Sequence, residues 1–214
     1  MTKTNNNYLN AKRLNILKKA KDIIAEEGLT FNTFETIASN HKLNISEINL
    51  LFPDGNMDLL KYSLEQLNIE LQEYCQSIDL IRLPVHKRIR KILLSKIEIM
   101  NKEKKFYKKI FLNSLLPNKN VSLPSQLYKS VDQIWYLAGD TSVDFNFYTK
   151  RLILAGIYSR VVLFFFNNNN NQQDLEHLLD VNLQRVSKIP ELKSKIKIIK
   201  DYFPKTMKFV KNII

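Results

Sequence analysis

Apolar residues recur at spacings of three and four along nearly the whole chain, a period that predicts helix after helix. Leu14, Leu17 and Ile24 share one stripe, and Gly28 follows where a helix C-terminus takes a left-handed residue. A second helix is expected from Asn32 as N-cap, with Glu35 three residues on completing a capping box. A short helix over Ile45 to Leu51 runs into "FPDGN", where Pro53 and Gly55 signal a turn. Helices are expected next from Asp58 to about Ile78, from Val85 to about Asn101, and through "FYKKIFLNSLL". Pro117 and Pro124 bracket a loop, after which helices span about Ser125 to Ala138, Phe147 to Phe166, and Gln173 to Ser187. A last helix occupies the tail. The tract "NNNNNQQ", Asn167 to Gln173, reads as a flexible connection, because asparagine competes for its own backbone and forms helix poorly. No segment alternates with the period of a strand, so the expected class is all-α, with about nine to ten helices.

The front of the chain has a layout of its own. Three helices of lengths long, short and short, followed by "LLFPDGNMDLL" and a long fourth helix, resemble the N-terminal module of TetR-type regulators. The resemblance implies a helix-turn-helix over residues 8–60, whose third helix would lie in a DNA major groove. The chemistry departs from that role. Between Leu43 and Leu60 there is no lysine or arginine, whereas Glu47, Asp54 and Asp58 place three acids there. Phosphate contacts dominate DNA affinity, and this segment would repel them. Asn44, Ser46 and Asn49 are the groups that reach base edges if any do, with Lys42 and Lys61 as flanking cations. The front is therefore read as vestigial and nucleic acid is not an expected partner. A ligand-responsive transcriptional regulator is the alternative reading.

Composition adds a constraint on partners. The formal charge is +12 and the sequence pI about 9.6, which favours an anionic surface, whether nucleic acid, membrane or acidic protein. A lone cysteine, Cys75, excludes an internal disulfide framework and falls on an apolar helical stretch, as a small core residue does. The opening "MTKTNNNYLNAKR" lacks the apolar core of a signal peptide. The most apolar run, Leu152 to Phe166, contains Arg160 and is shorter than the roughly 20 residues of a membrane span, so a buried helix is expected there. Phosphate loops, CxxC, HExxH and nucleophile elbows are missing from the sequence. The histidines, His41, His86 and His177, are far apart and sit among polar helix neighbours, and no Glu-x-x-His pair supports a di-iron site. The chain is expected to be no enzyme, with no catalytic residue, metal or cofactor.

The stretch "VDQIWYLAGDTSVDFNFYTKR", Val131 to Arg151, is the most distinctive. Gly139 and Asp140 are placed to end one helix, and Asp144 to cap the next. Two carboxylates in one loop fall far short of a calcium shell. The stretch resembles the signature of the COQ-nine family of ubiquinone-biosynthesis accessory proteins. Asp132, Trp135, Tyr136, Ala138, Gly139, Asp140, Ser142, Asp144, Phe145, Asn146, Tyr148, Thr149 and Arg151 fit the family pattern, and Phe147 departs from it where tryptophan is usual. The resemblance implies a TetR-like, all-helical homodimer that binds lipids, including isoprenoid quinone intermediates, instead of DNA. It also implies peripheral attachment to the inner membrane from the cytoplasmic side and presentation of substrate to the demethoxyubiquinone hydroxylase. The docking surface it implies falls on Phe147 and Tyr148, with Asp144 and Arg151 as neighbours. Trp135, Tyr136, Phe145 and Tyr148 packing a helix corner is the plainer reading of the same residues.

Residues 61–188 are then the lipid-binding and dimerisation region. Helical spacing nominates Leu64, Leu67, Leu71, Ile92, Ile97, Phe111 and Leu115 as its lining, with Trp135 from the motif grouped beside them. Residues 189–214 carry an independent signal. Leu192, Ile196, Ile199, Phe203, Met207, Val210 and Ile214 form a narrow apolar stripe, and Lys193, Lys197, Lys200, Lys208 and Lys211 lie beside or opposite it. That is the pattern of a helix lying in a membrane interface, kinked at Pro204, although the stripe also suits packing on the protein or on a dimer partner. Each lysine near an anionic surface contributes on the order of 1 kcal/mol. Deleting Ile189 to Ile214 is expected to abolish sedimentation with anionic liposomes while the helical circular-dichroism signal per residue persists; undiminished sedimentation refutes the interfacial reading.

Overall fold

The computed structural model describes residues 2–115, 123–141, 145–167 and 171–187. The described residues form nine helices and no strand: α1 (Thr2–Glu27), α2 (Thr33–His41), α3 (Ile45–Leu51), α4 (Asn56–Gln76), α5 (Val85–Lys102), α6 (Lys104–Leu115), α7 (Leu123–Leu137), α8 (Phe145–Asn167) and α9 (Gln172–Ser187). The all-α expectation holds. The expected tail helix lies outside the described residues. The chain divides into two compact units, residues 1–169 and residues 170–214, of which α9 is the described part of the second.

Turn chemistry sets the helix ends. Gly28, at φ +81°, terminates α1 with its N–H donating to the Ile24 carbonyl, and Gly55, at φ +61°, stands before α4. At that second turn the Asp58 carboxylate accepts the Asp54 N–H. The capping box expected at the start of α2 does not form. Asn32 makes no side-chain cap; instead the Thr33 hydroxyl accepts the Thr30 N–H and donates to the Thr30 carbonyl, closing the turn one residue later. α3 has the conventional arrangement, the Asn44 side chain accepting the Ser46 N–H.

Within the first unit, α1 packs on α2, α3 and α6, burying Ile16, Leu17, Ala20 and Ile24. Phe34, Phe52 and Tyr62 make edge and tilted ring contacts that join α2, the α3–α4 turn and α4. The remaining layer is α4, α5, α7 and α8, in which α5 meets all three of the others. α8 is not buried all round. Leu154, Tyr158, Val161 and Phe165 face inward, while Leu152 and Arg160 are exposed, so the apolar run is one helical stripe and some apolar surface remains outside. No helix among the described residues is long and apolar enough to cross a membrane.

One core position is a lysine. Lys96 is wholly buried on α5, in register with Ile89, Ile92, Leu93, Ile97 and Met100. Its Nζ donates to Asn68 Oδ1 at 2.7 Å and lies 5.2 Å from the Tyr158 ring centre, and no carboxylate among the described residues pairs with it. Burial therefore pushes its amine down to about 7. The unfolded chain, where this lysine has its ordinary pKa of 10.5, binds more protons than the folded one between those values. Stability is thus expected to rise as pH increases from about 7 to about 10, by up to about 5 kcal/mol for this group. Lys96→Met should flatten that part of the urea-melt stability curve relative to the wild type and raise stability at pH 7; parallel curves for the two proteins would refute it.

Candidate functional site

The distinctive stretch folds as a corner between α7 and α8. α7 ends in a Schellman motif: Gly139 N–H donates to the Tyr136 carbonyl, and Asp140 N–H reaches back to the Trp135 carbonyl at 3.0 Å. Gly139 has φ +81°, which favours glycine, and a Cβ on it would lie 2.9 Å from Arg88 Nη1, so the guanidinium would have to shift. Arg88 closes the end of the helix from outside. Its guanidinium donates to the carbonyls of Ala138 (3.0 Å), Ile81 (2.7 Å) and Leu83 (2.7 Å), satisfying an α7 C-terminal acceptor while tying the loop before α5 to this corner.

Asp140 does more than end a helix. Its buried carboxylate accepts from Arg151 Nη1 at 3.1 Å and from Lys150 Nζ at 2.8 Å. Arg151 Nε donates to Asp132 Oδ1 at 2.6 Å, one Asp on each side of a guanidinium that is only 6 % exposed. The same guanidinium donates to the Phe147 carbonyl and stacks 3.3 Å from the Phe147 ring centre. Lys150 lies 5.4 Å from the centre of the Trp135 ring.

Arg151, expected beside a docking face, is thus turned inward and held by two aspartates. Phe147 is half-buried under it, and Tyr148 is 67 % exposed. Tyr136 at 72 % and Leu152 at 76 % stand out from the same corner. Trp135 is half-buried, its Nε1 buried without a hydrogen bond. Asp144 lies outside the described residues, as do the tail residues Leu192, Ile196, Ile199, Lys200, Phe203, Met207, Lys208, Val210 and Lys211.

The nominated lipid-lining residues are placed inside the first unit. Leu67, Leu71, Ile92 and Ile97 are buried, Leu64 is half-buried, and Phe111 is half-buried with its ring 5.7 Å from that of Phe166; the Leu115 side chain is outside the described set. A cleft of about 380 Å³ between α1 and α4 is lined by other residues, among them Asn10, Arg13, Tyr62, Glu65 and Ile69. At the front, Glu47 pairs with Lys12, and Asp54 and Asp58 with Lys61 at 3.4 and 3.7 Å, so one of the flanking cations is engaged by acids. The three histidines are exposed, and no group of three metal-ligating side chains occurs among the described residues.

Sequence reasoning missed a second polar constellation. Around Lys96, Asn68 comes from α4, Ser130 and Gln133 from α7, and Tyr158 from α8. Gln133 Nε2 donates to the Asn68 carbonyl at 2.6 Å, while its Oε1 is buried with no partner. The Tyr158 hydroxyl, raised in pKa by burial, is hydrogen-bonded to the Ser130 side chain. A charged residue standing at 89 + 7 in an apolar stripe was the available signal.

Comparison with known proteins centres on the corner. The family model described as COQ9 matches residues 121–190, a region that contains all of α7, α8 and α9. Through this region the chain is similar to the COQ9 family. It is 27 % identical over 150 residues to the mitochondrial ubiquinone biosynthesis protein COQ9 of Rattus norvegicus, covering 67 % of this chain and 48 % of that one. Against the fission-yeast protein of the same name, from Schizosaccharomyces pombe, identity is 26 % over 157 residues, 73 % of this chain and 62 % of the other. A shorter stretch of 53 residues is 51 % identical to the probable ubiquinone biosynthesis protein coq9 of Dictyostelium discoideum, 23 % of this chain and 17 % of that protein. The chain spans about half the length of the rat COQ9 that it matches.

Removing Asp140 takes away one of two carboxylates on a buried guanidinium, Asp132 remaining on the other side. Asp140→Ala is therefore expected to lower urea-melt stability by about 1–3 kcal/mol, the worth of a charge-assisted hydrogen bond to a buried group, and Lys150→Ala, whose ammonium is more exposed, by less than about 1 kcal/mol. Equal effects of the two substitutions would contradict the assignment of Arg151 as the principal partner.

Proposed function

We propose that this COQ9-family chain is a non-catalytic accessory protein of ubiquinone biosynthesis. In this reading it shelters an isoprenoid quinone intermediate among α4, α5, α7 and α8 and presents it, at a membrane surface, to the demethoxyubiquinone hydroxylase. It acts as a homodimer attached peripherally through its lysine-rich tail. The observation that carries the proposal is the division of labour at the α7–α8 corner. The polar groups of the family stretch, Asp132, Asp140 and Arg151, are taken up by one another, which leaves Tyr136, Tyr148 and Leu152 as exposed aromatic and apolar groups, Tyr148 resting edge-on against Phe147. Exposed apolar groups gathered on a rigid corner are the ordinary anatomy of a docking surface. The lipid part of the reading is supported by the buried apolar residues of the four helices, where an isoprenoid tail exchanges one hydrocarbon environment for another at little cost.

The docking face is tested with the double variant Tyr148→Asp/Leu152→Asp, both positions being exposed so that the fold is retained. Its affinity for the hydroxylase of the same organism, measured by surface plasmon resonance, is expected to fall by about tenfold or more, as loss of central interface contacts does. Unchanged affinity, with unchanged helical content, would refute this face as the docking site.

A further inference from the structure

We infer that the cluster of Lys96, Asn68 and Gln133 inside the first unit is the polar end of a ligand site that takes the acidic hydroxyl group, phenolic or carboxylic, of an otherwise apolar molecule. The inference rests on the lipid-binding reading above and names the head-group chemistry that such a site selects.

Three observations lead there. Lys96 is wholly buried with one hydrogen-bond acceptor, Asn68 Oδ1, although an ammonium carries three donors. Gln133 Oε1 is a buried acceptor to which nothing donates among the described residues. Both groups are held on the same residue, Lys96 on the Asn68 side chain at 2.7 Å and Gln133 on the Asn68 backbone carbonyl at 2.6 Å, so the donor and the acceptor flank one asparagine. A group that both donates and accepts satisfies the pair: a ligand O–H donates to Gln133 Oε1, and the same oxygen accepts from Lys96 Nζ. If the hydroxyl ionises, its proton passes to the amine, and the anion becomes the counter-charge that Lys96 lacks.

The surroundings suit the rest of such a molecule. Leu67 and Leu71 adjoin Asn68 along α4, Ile92 and Ile97 adjoin Lys96 along α5, and Ile134 follows Gln133 on α7, all of them buried. A purely structural role fits less well. An apolar side chain at position 96 fills the core without the desolvation cost of an amine, and a buried polar network left half-satisfied is worse for stability than an apolar one. The Tyr158 ring beside Nζ offsets part of that cost, and its hydroxyl is engaged by Ser130.

The test uses the purified full-length chain and two probes that differ only at the head group, 4-octylphenol and its methyl ether 4-octylanisole, competed at equal concentration and read by native mass spectrometry. The phenol should bind at least about tenfold more tightly, since a site built to hydrogen-bond a hydroxyl rejects the analogue that lacks the proton. Lys96→Met should bring the two affinities within about threefold of each other, the range left when one hydrogen bond is removed. If that variant proves unfolded by circular dichroism, Gln133→Leu replaces it with the same expectation. Equal binding of both probes to the wild type, or a preference that survives the substitution, overturns the inference and leaves lipid binding standing. Failure of both probes to bind overturns both readings.

Discussion

A carboxylate and a guanidinium withdrawn from water have to be held against each other, and the Asp140–Arg151 pair transmits that requirement through the α7–α8 corner. For Asp140 to reach the guanidinium, α7 must stop at Gly139 in a left-handed turn. The absence of a Cβ there admits Arg88, which completes the hydrogen bonding of the helix end. Turning Arg151 inward also fixes the rotation of α8. Leu154 and Tyr158, three and seven residues on, then face the core, while Tyr148 and Leu152 face out. The exposed face of the corner is thus a consequence of a buried ion pair.

The same rotation carries the constraint deeper. Tyr158 arrives beside Lys96 because it lies two turns beyond Arg151 on one stripe. The two charged centres solve opposite problems. Arg151 has an acid on either side, whereas Lys96 has an amide and an aromatic ring, so burial costs the arginine little and pulls the lysine amine down toward neutrality. The similarity to the COQ9 family model covers the region that holds the first centre; Lys96 and Asn68, which build much of the second, lie outside it.

Most of the helical plan was legible in the chain. Helix α3 spans the Ile45–Leu51 expected of it and ends at "FPDG", and Gly28, Gly55 and Gly139 mark turns because each signal acts within a few residues. The capping box at Asn32 does not form; the turn before α2 is closed instead by the Thr33 hydroxyl on the Thr30 backbone, an equally local signal. Of the candidate site, the aromatic corner was visible and the destination of its charges was not. Arg151 read as a surface residue because its partners, Asp132 and Asp140, are acids of a kind that equally cap helices or face solvent.

The sequence by itself determined the all-α class, the helix boundaries and the family stretch, since periodicity and turn preference depend on neighbours a few positions apart. Only the tertiary structure decided which charges are buried and with what. Asn68 meets Gln133 across 65 positions and Lys96 across 28, and such distances are set by how helices pack, not by any local preference of the chain.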